Sequence, residues 1–447
     1  MVGARNHDTE SIVKSVAKTL EKVPKSSINS IVSDSASLCL VARAEIIKLP
    51  EFSHVIQHRC MPHLLNRMGW HITDSKHNAE VARVISWAKS VAKAIDDDTF
   101  MRNTFRDEGL SRIPRPTVTR WYSIMETISS VLAAKTTIVR EARATSFSDA
   151  QIETEVLDES NWLDLRSIAN LLHPLNRCIA ASERKDGSLG ESVRAILEYG
   201  RELFSLNWND KFAKAVSSSY LTYFGPAKLK EEFGLLLAAY LLDRRYRLDY
   251  LTEEGIDVAC NAIFELAEKS GYSKKRIKGS LIQELSSYCF FEDSYAYVST
   301  SDTALQWWLR RPEAGILQHI ALRFANLRSS SANIERTFSA LKYIQGLGRK
   351  NLSIGTMKHL ARLRISDESG LNELLNLDGG YGSENEKEND QAHDSHDPVQ
   401  MEVDEDNIGV EPQMDDFGEN SLDSDLPPRG ELDFLSQEEP EHEDRIA

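Results

Sequence analysis

The stretch SINSIVSDSASLCLVARAEIIK, residues 27–48, decides how the chain is read. Its apolar run from Ile28 to Val32 predicts a short buried strand that ends at Asp34. A helix is expected from there, with Asp34 or Ser35 as its cap. Downstream, HVIQHRC (54–60) reads as a second strand, and PHLLNRMGWHI (62–72) as the helix after it. Pro62 suits a first helical turn, where its missing N–H costs nothing. On the other side, residues 8–22 place Ile12, Val13, Val16 and Leu20 at helical spacing, with Val23 and then Pro24 beyond. The order is helix, strand, helix, strand, helix, which suggests part of an α/β sheet domain.

From about residue 80 to 325 helical periodicity dominates. Examples are EVARVISWAKSVAKAI, RWYSIMETISSVLAAKTTIV, LDLRSIANLLHPLNRCIAA, ESVRAILEYGRELFSL and LLLAAYLLDRR. Residues 313–365 form a last helical block. Residues 377–447 are Gly, Asn, Asp, Glu and Ser with few large apolar side chains. Such a tail cannot bury enough surface to offset its ordering entropy, and is expected to be disordered. No internal repeat is present.

The net charge of −16 conceals an asymmetry. Residues 381–447 hold 23 acidic and 3 basic residues, a net of −20, which leaves 50 basic and 46 acidic in 1–380, a net of +4. A mildly basic body is compatible with phosphate binding. Five scattered cysteines, an odd number, argue for a reducing compartment and against a disulfide framework. No run of about 18 apolar residues occurs, so no membrane span is expected. The first residues, MVGARNHDTESIVK, do not read as a secretory signal.

The most specific segment is LRSSSANIERTFSALKYIQGLGRKNLSIGTMKHLARLRI (327–365). A small-residue run leads into Glu335, Arg336, Phe338 and Ser339, and then Arg349 and Leu352. This closely resembles the C-terminal block of hAT-superfamily transposases. Upstream, QWWLRRPEAGILQHIALRFANL (306–327) supplies the Trp and the helix that usually precede that block. Three more segments match in the family's order. VSDSASLCLVAR resembles the strand end that carries an active-site Asp, here Asp34. HRCMPHLLNRM resembles a Cys-x-x-His followed by Leu and Asn, here Cys60, His63, Leu65 and Asn66. PTVTRWYSI resembles Thr-Arg-Trp-x-Ser, here Thr119, Arg120, Trp121 and Ser123. LLDRRYRLDYL is similar to a fifth segment, with Arg244 in place of the usual Pro.

The resemblance implies a ribonuclease H-like domain interrupted by a large helical insertion, mostly helical overall. The parts would be 1–125, an α/β region lacking its first strands; 126–312, the helical insertion; 313–376, the dimerisation region that completes the domain; and 377–447, the acidic tail. In such nucleases three carboxylates hold two divalent metals about 4 Å apart for in-line phosphoryl transfer. Hard oxygen ligands suit Mg²⁺ or Mn²⁺. Asp34 and Glu335 match the second and third carboxylates of that ancestral site. The first Asp and its three-stranded meander would precede the helix at 8–22, and are read as absent, as is a zinc-finger-like module. The family analogy assigns DNA contacts to Arg120, Trp121, Cys60, His63 and Arg336. For Trp121 the simpler reading is a buried indole at a helix start. It assigns dimerisation to Phe338, Leu341, Ile344, Leu347, Leu352 and Leu360, where core packing is the competing reading.

The expected function is thus that of a transposase-derived nuclear protein without catalysis, acting as a homodimer or larger homo-oligomer, with DNA as a second partner and no cofactor. Lys274, Lys275, Arg276 and Lys278 read as a solvated helix end or a nuclear import signal. One alternative is an active metal-dependent transposase whose N-terminal part lies outside this chain. Another is a zinc-dependent nucleic-acid binder using Cys60 and His63, with His58 and His71 nearby. That spacing is short for a closed four-ligand site.

Overall fold

The structure, a computed structural model, describes residues 9–114, 121–144, 147, 149–184, 187–206, 210–226, 232–246, 248–292, 295, 302–311, 315–331 and 356. All but the last belong to one compact unit. It is mostly helical, with one two-stranded parallel sheet among the described residues.

Helix α1 (Thr9–Leu20) turns Val13, Val16 and Leu20 toward a small apolar cluster of Ile28, Ile46, Phe52 and Val55. Strand β1 (Ser30–Ser33) starts two residues later than its apolar run suggests, because Ile28 is drawn into that cluster. Parallel pairing requires a crossover, and α2 (Ser37–Lys48) supplies it. Strand β2 (Ile56–Arg59) then lies beside β1, with Ser30 opposite Ile56 and Ser33 opposite Arg59. Ile56 and His58 are buried, while Gln57 and Arg59 are half-buried, so the strand's alternation selects its core face.

Helix α3 (Met61–Thr73) opens with Pro62 in its first turn, as the sequence predicts. Met61, Leu64, Leu65, Met68 and Ile72 form its buried face. Next come α4 (Ala79–Asp97) and α5 (Thr99–Asp107). Asp98 caps α5 by accepting from the N–H groups of Phe100 and Met101 at 2.8 and 3.2 Å. The 120–139 periodicity divides into two helices, α6 (Trp121–Ala133) and α7 (Lys135–Arg143).

Helices α8 (Ala150–Leu157) and α9 (Glu159–Glu183) follow. The 25-residue α9 is the central element and packs on α3, α4 and α6. It also packs on α10 (Leu189–Ser205) and α11 (Lys211–Phe224). Its Trp162 donates from the indole to Val156 O at 2.8 Å and meets Trp87 edge-on. Helix α12 (Phe233–Leu241) is apolar nearly all round and accordingly buried. Helix α13 (Glu253–Lys269) packs along it. A short α14 (Lys274–Arg276) passes through a π turn, Ile277–Leu281, into α15 (Ile282–Cys289). Helices α16 (Ala304–Leu309) and α17 (Ile316–Ala325) complete the described unit.

One apolar cluster runs from Ile56 to Leu327. The boundary read at 125/126 falls inside α6, and apolar residues on both sides of it share this cluster. The chain returns to its start through Arg323 of α17. Its guanidinium donates to Asn29 Oδ1 at 3.1 Å, to Ser270 Oγ at 2.7 Å and to His54 O. Asn29 donates in turn to Arg323 O at 2.8 Å. No helix among the described residues is long and apolar enough to cross a membrane.

Candidate functional site

Parallel strands end side by side, and ligands of α/β proteins are commonly held at that carboxyl edge. Here the residues at the edge are Asp34 after β1 and Cys60 after β2, joined by the Cys60 N–H donating to Ser33 O at 2.7 Å. Asp34 is half-buried. It does not cap α2: its Oδ1 accepts from the Ala36 N–H at 3.1 Å, which tightens the turn, and the helix begins only at Ser37. A short acidic side chain competes for nearby N–H groups in this way, so the expected cap becomes a turn. Cys39 lies one turn into α2, and burial together with the nearby Asp34 carboxylate pushes its thiol above the usual range. Arg67 of α3 donates to Ser35 O at 3.3 Å, and Ser35 itself is buried.

A third segment reaches the same edge. Residues 327–331 open the block resembling the hAT C-terminal region. The Met61 N–H donates to Ser329 O at 2.9 Å, and the Ser331 N–H donates to Cys60 Sγ at 3.5 Å. Ser329 Oγ donates to Ser182 O at 2.8 Å, and the Leu189 N–H to Leu327 O at 3.0 Å. Ser188 and Arg328 form an antiparallel bridge. The segment is therefore clamped between the β2–α3 junction and the α9–α10 junction. Asp34, Cys60 and Ser331 come together at one edge. Glu335 and Arg336 lie outside the described residues, as do Arg120 and the six dimerisation positions Phe338, Leu341, Ile344, Leu347, Leu352 and Leu360.

Two of the expected DNA contacts are buried. Cys60 is 2% exposed, and its sulfur is engaged by Ser331. Trp121 is 0% exposed and meets Trp70 edge-on, with centroids 6.4 Å apart. A base cannot stack on an indole whose faces are already covered, so the buried-indole reading of Trp121 replaces the stacking one. His63 stays half-exposed on the first turn of α3. Among the described residues no three His, Cys, Asp or Glu side chains converge as a metal group would require. His58 turns into the core, with its Nδ1 3.1 Å from Arg59 O. His71 stacks on His77 at 4.0 Å and meets Ser219 Oγ at 3.0 Å. Burial holds both imidazoles down at about 4. Asp34 is the one of the two expected carboxylates that lies among the described residues.

Comparison with models of known protein families gives no match, and no curated protein matches the chain.

Two charged constellations lie beyond the motifs. Arg43 on α2 is buried, and its guanidinium donates to Glu232 Oε1 and to His58 O. Glu232 Oε2 also accepts from the Arg59 N–H at 3.3 Å and lies 3.4 Å from Arg59 Nε. Burial drives Glu232 up and Arg43 down, and each charge opposes that drift in the other. Arg43 occupies the buried face of α2 with Ala42 and Ile46. Arg244 is 2% exposed. Its guanidinium lies 3.7 Å from the Phe291 ring centre and 4.7 Å from that of Tyr288. It donates to Tyr288 O at 3.2 Å and to Tyr295 O. The run Lys274, Lys275, Arg276 and Lys278 is exposed.

Proposed function

We propose that this chain is a hAT-transposase-derived protein that self-associates through the 327–365 block and binds nucleic acid. In this reading β1 and β2 are two strands of a ribonuclease H-like sheet, and the long helical stretch before residue 316 is its insertion. The observation that supports it is the meeting at one strand edge. Asp34, Cys60 and Ser331 belong to three separately recognised segments, and Cys60 and Ser331 are 271 residues apart in sequence. A split ribonuclease H-like site needs that return of a late segment to an early strand. Asp34 and Glu335 then stand as positions inherited from an Mg²⁺- or Mn²⁺-dependent ancestor, and no strand-transfer step is assigned to them. A nuclear location fits this role.

Light scattering of the purified chain tests the reading. A dimer is expected, which Glu335→Ala leaves intact and Phe338→Glu or Leu341→Glu converts to monomer. A wild-type chain that stays monomeric at micromolar concentration overturns it.

A further inference from the structure

From Lys269 to Gln283 the chain carries five Lys or Arg residues and no Asp or Glu, against 50 basic and 46 acidic over residues 1–380. The turn after α13 fixes where this stretch points. Gly271, at a φ of +88°, donates its N–H to Glu268 O at 2.9 Å, and the Tyr272 N–H donates to Ala267 O at 3.1 Å. Helix α14 and the π turn follow, anchored by the buried Ile277 and Leu281. Lys274, Lys275, Arg276 and Lys278 are left exposed around that anchor. Lys274 lies 3.9 Å from Glu268, and the other three have no carboxylate partner among the described residues. The next acid, Glu284, is turned toward α17, where it accepts from the Leu317 N–H at 2.8 Å. Arg276 lies over the Tyr272 ring, 5.4 Å from its centre, and the Tyr272 hydroxyl is 3.0 Å from His319 Nδ1. Beyond the cations Gly279 and Ser280 are exposed, and a Cβ at Gly279 would meet nothing within 4 Å.

We propose that Lys275, Arg276 and Lys278, with Gly279 and Ser280 beside them, form a surface that binds the phosphate backbone of duplex DNA. The inference rests on the nucleic-acid part of the function proposed above and gives that binding a place. Cations without carboxylate partners keep their charge available to phosphates. Each phosphate they neutralise releases counterions condensed on the DNA, which drives binding whatever the base sequence. Gly279 and Ser280 carry no bulk that would hold a sugar–phosphate strand away from the helix. The same run, used as an import signal, would be gripped as an extended peptide. That would unwind the helix and draw Ile277 and Leu281 out of the core. The folded, anchored run therefore favours the phosphate contact.

The test is fluorescence anisotropy of the full chain on a labelled duplex of mixed sequence, over about 50 to 200 mM salt. The triple variant Lys275→Gln, Arg276→Gln, Lys278→Gln is expected to bind at least about tenfold more weakly than wild type. Its log–log salt slope should flatten by about 2.7, from three phosphate contacts at about 0.9 each. Its helical circular dichroism should match wild type, because the three side chains are exposed. A control, Lys22→Gln, Lys93→Gln, Lys214→Gln, removes the same charge from exposed positions elsewhere and should keep the wild-type slope. If wild type binds and the first variant matches it, the surface is wrong and the proposed function stands. An equal loss in the control overturns the surface too, since net charge alone then accounts for binding. If wild type does not bind at any salt concentration, both the surface and the nucleic-acid part of the function fall, whereas self-association is still read by light scattering. A first variant that matches wild type on DNA but loses nuclear accumulation when fluorescently tagged makes the run an import signal, and the proposal falls.

Discussion

Glu232 joins parts of the chain that no local pattern connects. It stands just before α12, yet it holds the α2 side chain of Arg43 and the β2 residue Arg59. Removing one member of a buried ion group leaves the others charged and dry, which typically costs about 3–5 kcal/mol. Glu232→Ala is expected to destabilise the fold by that order, read as a lower urea midpoint with an unchanged m-value. A loss below about 1 kcal/mol, the range of exposed pairs, would show that water reaches the site. Arg244 poses a related problem with another solution. Its charge is met by ring faces and carbonyl oxygens, and Phe291 takes a positive φ of 58° where the chain leaves α15 beside it.

Helices here are positioned by how closely they approach as much as by apolar stripes. On α3, a Cβ at Gly69 would lie 2.5 Å from the Trp121 ring of α6. Glycine is required there for contact, not for backbone freedom. Gly69→Ala forces the helices apart and is expected to cost about 1–3 kcal/mol, as overpacking does. The indole's near-ultraviolet circular dichroism should change with it. An unaltered thermal midpoint in that variant would mean that Trp121 is not seated against α3. The same contact explains why Trp121 is unavailable to a base. An Arg-Trp pair at a helix start reads equally well as a ligand platform or as an anchor, and only the neighbouring helix separates the two.

Across the whole molecule, buried imidazoles make the fold acid-sensitive. In the unfolded chain His58 takes up a proton near its usual 6.5, whereas burial holds it at about 4 in the folded state. Its neutral form therefore favours folding above pH 6.5, and that contribution is lost as the pH falls from 6.5 toward 4. The shift corresponds to about 3 kcal/mol for His58. His71 shifts in the same direction, with a smaller effect because solvent reaches it in part. Urea midpoints should fall steeply between pH 6.5 and 4, with a shallower slope in His58→Asn. Parallel slopes in the two proteins would remove His58 as the cause. Charge distribution supplies the other prediction at this scale. Deleting residues 381–447 removes a net −20 from a body of +4, so the shortened chain should bind duplex DNA more tightly. That binding should weaken as salt rises. Equal affinity with and without the tail would argue against a basic body that holds phosphates.

Local patterns in the sequence determined the helices and the two strands. The 3.6-residue spacing along 80–95 and 163–181, Pro62 in a first turn, and the short apolar runs before Asp34 and Cys60 each act over a few residues. Burial of one face is enough to specify them. The motif order also pointed to the strand edge where Asp34 and Cys60 meet. Packing between elements sets which of those residues face solvent and which are packed away. Trp121 and Cys60 are covered, Asp34 closes a turn and does not cap α2, and Glu232 and Arg323 find partners on distant elements. Such pairings depend on how helices stack, and a side chain's spacing along its own helix carries no information about what the opposite helix presents.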